Sequence, residues 1–238
     1  MTLPVLIACS HGTSSPAGRE CIDRLREEIA ALRPGLDVLE AYVDVQSPAL
    51  PDVVARLPAG VPAVVVPLLL SVGFHVTVDI ANAVAGRERT TAAAPLGPDP
   101  RLASLLAERL AEIPGEWGVV LAAAGSSNPA AAENVRVLAD QLSALRPGRI
   151  MPGYGSIASP SVADAVAALR AQGHARVAIA SYLLAPGFFH DQLARAGADA
   201  VSGPLLPSAA VARIALDRYD DAVAAAGFRA PPSRIVTN

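Results

Sequence analysis

Short apolar runs alternate with amphipathic stretches along the whole chain. Residues 3–10 and 61–70 are largely hydrophobic without a period of two, which is typical of strands covered on both faces of a parallel sheet. Between such runs, apolar residues recur every three or four positions, as at Cys21, Leu25 and Ile29, and this spacing predicts a helix. Strands and helices alternate to the end of the pattern, so we predict an α/β protein with parallel sheets wrapped by helices.

Proline and glycine mark the expected helix ends. Pro16 opens a predicted helix that Pro34-Gly35 ends, and Asp99-Pro100 is typical of a capped helix start. By the same rule we expect a short helix after the second strand, with Ser47 as its N-cap and Pro48 at its first position.

The second half of the chain repeats the first. The segments Leu32-Arg33-Pro34-Gly35, Tyr42 and Ser47-Pro48 recur as Leu145-Arg146-Pro147-Gly148, Tyr154 and Ser159-Pro160, the first of them 113 positions later. We therefore expect two similar doubly wound parallel-sheet lobes, related by internal duplication, with a cleft between them. The boundary is placed in the Pro-Gly segment that ends the first copy, giving an N-terminal lobe of residues 1–115 and a C-terminal lobe of residues 116–238.

Composition narrows the classes of function. The chain of 238 residues is 52% hydrophobic and 17% charged, which favours a packed globular protein over disorder. A net charge of −3 argues against general nucleic-acid binding, and no apolar run reaches the roughly 18 residues of a spanning helix. Residues 1–4 lack the basic start of a signal peptide, and Cys9 and Cys21 are typical of small buried hydrophobes, so we expect a cytoplasmic protein. There is no lysine, which excludes a Schiff-base mechanism.

Two histidines follow predicted strands in the first half. His11 precedes Gly12 after the first strand, and His75 follows Gly73 after the third. Open α/β sheets bind ligands outside the carboxyl ends of their strands, so both imidazoles can converge on one divalent cation. A histidine at a strand end is also a common structural hydrogen-bonding residue. Asp44, at the end of the second strand, is open to two interpretations, a proton acceptor or metal ligand and an ordinary turn residue.

The repeat is imperfect at these positions. Ala124 aligns with His11, Phe189 with His75 and Ser156 with Asp44, while His190 is displaced by one residue. The chemistry is therefore expected in the first half, with the second half supplying a wall of the cleft. His190 begins a helix, and we weigh a contribution to the cleft against a purely structural role.

At these motifs the chain resembles the sirohydrochlorin chelatase family, the class II chelatases that insert Fe²⁺ or Co²⁺ into sirohydrochlorin. His11-Gly12-Thr13 matches the first family pattern, and the segment from Gly73 to Ile80, which reads GFHVTVDI, matches the second. Asp44 stands where the family usually has Glu. Relatives often have Arg directly after the first pattern, whereas Ser14-Ser15 stand here, and Arg19 is our candidate replacement.

The resemblance implies metal insertion in sirohaem or cobalamin biosynthesis. His11 and His75 would bind the metal, and these two with Asp44 would be the catalytic groups. The residues expected to contact the substrate are Thr13, Ser14, Arg19, Gly73 and Phe74. The implied partners are sirohydrochlorin and the divalent metal, without an organic cofactor, nucleic acid or membrane, and a monomer is expected because the duplication mimics a dimer. Fe²⁺ is favoured over Co²⁺ because the chain lacks the His- or Cys-rich C-terminal extension of larger cobalt-linked relatives.

Two other classes of function compete with insertion. A non-catalytic metal or tetrapyrrole carrier of the same fold would need the same histidines. A histidine phosphatase would explain Ser10-His11-Gly12, but the arginine expected before the histidine is replaced by Ser10, so phosphate would lack its bidentate clamp.

Overall fold

The protein consists of two parallel four-stranded sheets with the same strand order. The computed structural model describes residues 3–71 and 73–228, without the side chains of residues 74–77. The first half contains β1 Val5–Ser10, α1 Pro16–Leu32, β2 Val38–Tyr42, α2 Leu50–Arg56, β3 Ala63–Pro67, α3 Phe74–Ala85, β4 Thr90–Ala92 and α4 Pro100–Arg109. The second half contains β5 Gly118–Ala123, α5 Pro129–Leu145, β6 Ile150–Tyr154, α6 Val162–Ala171, β7 Val177–Tyr182, α7 Phe188–Leu193, β8 Ala200–Val201 and α8 Ala209–Ala225.

Strand pairing confirms the predicted duplication. The sheets run β2-β1-β3-β4 and β6-β5-β7-β8, and every pairing is parallel. Both central strands, β1 and β5, are buried along their whole length, as expected for strands covered on two faces. All eight carboxyl ends therefore lie at one edge of their sheet, where the connecting turns carry the candidate residues.

Three helices begin at a capping residue followed by proline. Ser15 accepts the Gly18 N–H at 3.2 Å to cap α1, and Asn128 and Asp99 cap α5 and α4 in the same way. Proline fits the first helical position because its missing N–H would have no partner within the helix anyway. The predicted starts of α1 and α4 are thus confirmed.

The predicted start of the second helix is wrong. Helix α2 begins at Leu50 with Ala49 as its N-cap, and the Ser47–Pro48 peptide is cis. The corresponding Ser159–Pro160 peptide is also cis. A Ser-Pro pair is as compatible with a tight turn as with a helix start, and here it ends the strand connection.

Each sheet has one outer and one inner helical layer. Helices α2 and α3 cover the outer face of the first sheet, and α6 and α7 cover the outer face of the second. Between the sheets, α1, α4, α5 and α8 share one continuous buried core that includes Leu6 and Val64 of the first sheet and Leu121 of the second.

The last helix of each half packs on the other half. Helix α8 lies against α1 and β3 of the first sheet, and α4 lies against α5 and β7 of the second. The buried Tyr219 of α8 donates to the carbonyl of Pro4 at 2.6 Å, and Arg109 of α4 donates to the carbonyl of Leu205 at 3.2 Å. The two halves are therefore interlocked, while the exact boundary at residue 115 stays a prediction. No helix in the described ranges is long and apolar enough to cross a membrane.

Candidate functional site

The turns after β1 and β2 lie directly against each other. The carbonyl oxygen of His11 accepts the Asp44 N–H at 3.0 Å, and that of Ser10 accepts the Val43 N–H at 2.9 Å. Gly12 has φ 95°, and a Cβ placed on it would lie 2.3 Å from the carbonyl oxygen of Asp44. Only glycine fits this close approach, which brings His11 and Asp44 onto adjoining strand ends. The side chains of both residues are exposed there.

The Asp44 carboxylate is fixed by its own turn. Its Oδ1 accepts the Val45 N–H at 2.7 Å, and the Asp44 carbonyl oxygen accepts the Gln46 N–H at 2.6 Å. The structure therefore shows Asp44 as a turn residue whose backbone lies against His11, and its role as proton acceptor or metal ligand stays a prediction.

The start of α1 carries three of the predicted substrate contacts. Thr13 donates its N–H to Gln46 Oε1 at 2.8 Å, and its Oγ1 accepts the Ser15 N–H at 3.1 Å. Arg19 Nε donates to the Thr13 carbonyl oxygen at 2.8 Å, which holds the exposed guanidinium over the turn. Ser14 is exposed between them. The arrangement places a cation and a helix start at one rim of the cleft.

The turn after β3 reaches the second half. A Cβ on Gly73 would lie 3.4 Å from Ser126 Oγ at the start of α5, and Tyr182 of β7 donates to the Leu70 carbonyl oxygen at 3.4 Å. Gly73 is the N-cap of α3, so His75 lies in the first turn of that helix. The side chains of Phe74 and His75 lie outside the described part of the chain, and their predicted roles remain predictions.

The turn after β7 in the second half likewise lies against the first half. A Cβ on Gly187, between β7 and α7, would lie 3.7 Å from both Thr13 Oγ1 and Ser15 Cβ. A Cβ on Gly18 would lie 2.6 Å from the Pro186 carbonyl oxygen. Each half therefore presents one glycine turn to the first turn of the other half, and a cleft with approximate twofold symmetry lies between them.

The second half forms the same turns, but its turn after β5 carries Ala124 where the first half has His11. Gly125 has φ 93°, and a Cβ on it would lie 1.9 Å from the Ser156 carbonyl oxygen, as at Gly12 and Asp44. A small pocket of about 10 Å³ lies here, lined by Ser71, Ala123, Gly125, Ser126, Ala131, Ala132, Val135, Tyr154 and Ala158. The role of the second half as a wall of the cleft stays a prediction.

Phe189 shows which positions the repeat brings together. A Cβ on Gly155 would lie 3.0 Å from Phe189 Cδ1 and 3.4 Å from the Ala124 carbonyl oxygen. Phe189 aligns with His75 and Ala124 with His11. In the second half, therefore, the residues at the two positions that correspond to the histidines both lie beside Gly155, just after β6.

His190 has a structural contact away from the cleft. Its Nδ1 lies 3.0 Å from the Oγ of Ser181, which is fully buried. Ser181 lies on the same face of β7 as Val177 and Ile179, whose cluster also contains Leu193 of α7. Because side chains alternate along a strand, this is the outer face of the sheet. His190 thus fastens α7 to β7, and the alternative of a contribution to the cleft is not supported.

The described side chains define what can bind metal. Among them, no three His, Cys, Asp or Glu residues lie close enough to hold an ion, although His75 falls outside that set. Burial raises the pKa of Cys9 to about 12, so its thiol stays protonated at neutral pH and is not a thiolate ligand. Imidazole and carboxylate are therefore the donors at the strand ends of the first half.

The sequence interpretation missed several residues that shape this site. Gln46 anchors Thr13, and the buried hydroxyl of Ser10, one residue before His11, has no hydrogen-bond partner among the described residues. The alignment of Gln46 with Ala158 was a usable signal, because it is one more polar position kept only in the first half. No such signal marks Val45 and Ile157, whose backbones have positive φ.

Three solved structures share this fold over nearly the whole chain. SirB from Bacillus subtilis with Fe³⁺ has a TM-score of 0.78 and 19% identity over 95% of this chain and 98% of that one. SirB from Bacillus subtilis subspecies spizizenii, a sirohydrochlorin chelatase in complex with cobalt, has a TM-score of 0.74 and 18% identity over 93% and 95%. CbiX, described as the terminal enzyme of sirohaem biosynthesis in denitrifying bacteria, has a TM-score of 0.66 and 20% identity over 92% and 99%. No curated protein sequence matches the chain.

Family membership rests on the sequence of both halves. The CbiX family pattern matches residues 5–113 and, a second time, residues 118–222. These two matches cover both sheets and the turns at their carboxyl ends, in agreement with the resemblance that the histidine motifs carry. The chain belongs to the CbiX family, with one family unit in each half.

Proposed function

We propose that the protein inserts a divalent metal, Fe²⁺ in preference to Co²⁺, into sirohydrochlorin. The observation that carries this proposal is the double CbiX match in a chain whose first half alone keeps a histidine at both glycine turns. The fold shared with SirB and CbiX supports it. Sirohaem biosynthesis is the pathway that this metal preference favours, and a cytoplasmic monomer is part of the same proposal.

His11 and His75 bind the incoming metal in this proposal. Neutral imidazole is a good ligand for Fe²⁺ and Co²⁺, and an open set of two imidazoles and one carboxylate releases its ion more readily than a closed four-ligand cage. The proximity of both Phe189 and Ala124 to Gly155 in the second half supports the pairing of positions 75 and 11 in the first.

Insertion releases two protons from the macrocycle. The metal replaces two pyrrole N–H protons, so the site needs an acceptor within hydrogen-bond reach of the ring nitrogens. Asp44, whose turn packs on His11, or a histidine that has not yet bound the metal can accept them.

Sirohydrochlorin carries many carboxylates, and the rim of the cleft offers partners for them. Arg19 lies over the first turn of α1, where Thr13 and Ser14 begin the helix. Guanidinium groups bind carboxylates with two parallel hydrogen bonds, and helix starts favour negative charge. Gly73 and Phe74 at the facing turn complete the proposed contacts with the substrate.

Substitution of the histidines tests the proposal. His75→Ala and His11→Ala are each expected to abolish protein-dependent insertion of Fe²⁺ or Co²⁺ into sirohydrochlorin, measured anaerobically by absorbance. His174→Ala is the matched control, since His174 follows α6 at the opposite edge of the second sheet, beside Gly118. Wild-type turnover in both cleft variants would overturn the assignment. A wild-type protein that binds metal and macrocycle without insertion would instead be the carrier.

A further inference from the structure

Two exposed aliphatic side chains stand on strained turns at equivalent places in the two halves. Val45 has φ 59° and Ile157 has φ 60°, and each is the middle residue of a three-residue turn. The turns are closed by hydrogen bonds of 2.6 Å, from Gln46 N–H to the Asp44 carbonyl oxygen and from Ala158 N–H to the Ser156 carbonyl oxygen. Turns of this hand are rare, and a β-branched residue at positive φ is a genuine outlier.

The strain is not explained by packing within the chain. Among the described residues, nine glycines have positive φ, and besides Val45 and Ile157 the one other non-glycine residue with positive φ is Arg89. The side chain of Val45 is 55% exposed and that of Ile157 is 78% exposed, so neither side chain repays the cost by filling the core. Strain of this kind clusters at active sites and ligand-binding sites.

Both turns border the cleft. The Cβ of Val45 lies 3.2 Å from the position that a Cβ on Gly12 would take, beside His11. Ile157 lies between Ser156, which packs on Gly125, and Ala158, which lines the small pocket beside Gly125. One aliphatic apex therefore stands beside the first turn of each half.

An aromatic pair adds to this apolar surface. Phe188 and Phe189 lie edge to face with ring centroids 5.6 Å apart, and Phe188 is 71% exposed. They begin α7 directly after Gly187, which lies beside Thr13 and Ser15 of the first half. Phe188 and Ile157 have the largest exposed fractions among the large hydrophobic side chains that the structure describes.

We propose that Val45, Ile157 and Phe188 contact the faces of the flat macrocycle and hold it between the two halves. This inference rests on the proposed function, which supplies the occupant. A planar conjugated ring with carboxylates at its edge needs apolar contacts over its faces and cations at its rim. The three exposed side chains follow β2, β6 and β7 at the carboxyl edges of the two sheets, and Arg19 lies over the turn after β1. In this inference, the positive φ of Val45 and Ile157 directs their side chains towards the ring.

The variant Ile157→Gly separates binding from folding. Glycine adopts φ 60° without strain, so the melting temperature should be unchanged or raised, while lost apolar contact should weaken binding of metal-free sirohydrochlorin about tenfold. The Michaelis constant for the macrocycle should rise by a similar factor, with the rate at saturation retained. Binding is measured by absorbance titration in the absence of metal, and Ile157→Val should restore it.

Arg89→Gly is the matched control. Arg89 has φ 56° and is exposed at the start of β4, the edge opposite the cleft, so its substitution relieves the same backbone strain without changing the affinity for sirohydrochlorin. Unchanged affinity in Ile157→Gly would overturn this inference and leave the proposed function standing. A wild type that binds the macrocycle without inserting metal would overturn the proposed function alone, and one that does not bind it would overturn both.

Discussion

At the residue scale, the site depends on where glycine lets two backbones meet. The sequence pattern of a histidine and a glycine after a buried strand was enough to predict that His11 lies at a strand end. The structure places it against Asp44, because neighbouring parallel strands end at one edge. It could not predict Val45 and Ile157, since nothing in a β-branched residue signals positive φ. The roles of His11, His75 and Asp44 themselves remain predictions that the variants above test.

Gly12 offers a direct test of this backbone contact. Gly12→Ala is expected to lower the free energy of unfolding more than Gly35→Ala, by about 1–3 kcal/mol, because only position 12 adds a steric clash. Both residues have positive φ, 95° and 85°, but a Cβ on Gly35 would meet no atom within 4 Å. Urea unfolding of the two variants gives the difference. Equal losses would show that the approach to Asp44 is not close in solution.

At the element scale, the predicted caps marked the helix starts correctly except at Ser47-Pro48, because a Ser-Pro pair also occurs in turns. Asp99 and Pro100 marked α4 correctly, whereas Ser47 and Pro48 marked a cis turn two residues before α2. A Ser-Pro pair in the sequence does not show whether a helix or a turn follows. Here the Tyr42 N–H of β2 donates to the Pro48 carbonyl oxygen, which favours the turn.

Asp99 does more than cap α4. Its carboxylate accepts hydrogen bonds from Arg101 N–H at 3.0 Å and Arg101 Nε at 2.9 Å, and it pairs with Arg218 of α8 at 3.3 Å. Burial alone would raise the pKa of Asp99, but the hydrogen bonds from Arg101 and the charge of Arg218 outweigh it and lower the pKa below its usual value. The ionised form is thus stabilised in the folded protein.

A lowered pKa fixes the direction of the pH dependence. The contribution of Asp99 to stability is fully present above the usual carboxyl pKa of about 3.9 and is lost as the pH falls through the lowered pKa. Asp99→Asn should cost about 2 kcal/mol of unfolding free energy at pH 7, and progressively less below pH ~4. Chemical denaturation of both proteins at a series of pH values measures this. A deficit that stays constant down to the acid range would contradict the ionic role of Asp99.

At the scale of the whole molecule, the sequence repeat predicted two sheets of identical order but not the exchange of their last helices. The apolar stripe of α8 shows that one face is buried, and it does not show which sheet that face covers. In the structure α8 completes the inner layer of the first half and α4 that of the second. The cleft is therefore held from both sides by elements of the opposite half.

The exchange predicts that neither half is stable alone. Residues 1–115 lack α8, so their core residues Leu6 and Val64 would lose the cover that Tyr219 and its neighbours provide. This fragment should show no cooperative thermal unfolding by circular dichroism, whereas co-expression with residues 116–238 should restore a folded complex. A cooperative transition in the isolated fragment would show that the helix exchange is not needed for folding.

The central claim is that this CbiX-family chain inserts metal, and the rate of insertion tests it most directly. Metal-free sirohydrochlorin is mixed anaerobically with Fe²⁺ or Co²⁺, with and without the wild-type protein, and the loss of its absorbance is followed. The account predicts a protein-dependent rate that saturates with macrocycle and exceeds the spontaneous rate, with Fe²⁺ the better substrate. A rate equal to the spontaneous one with both metals would contradict it.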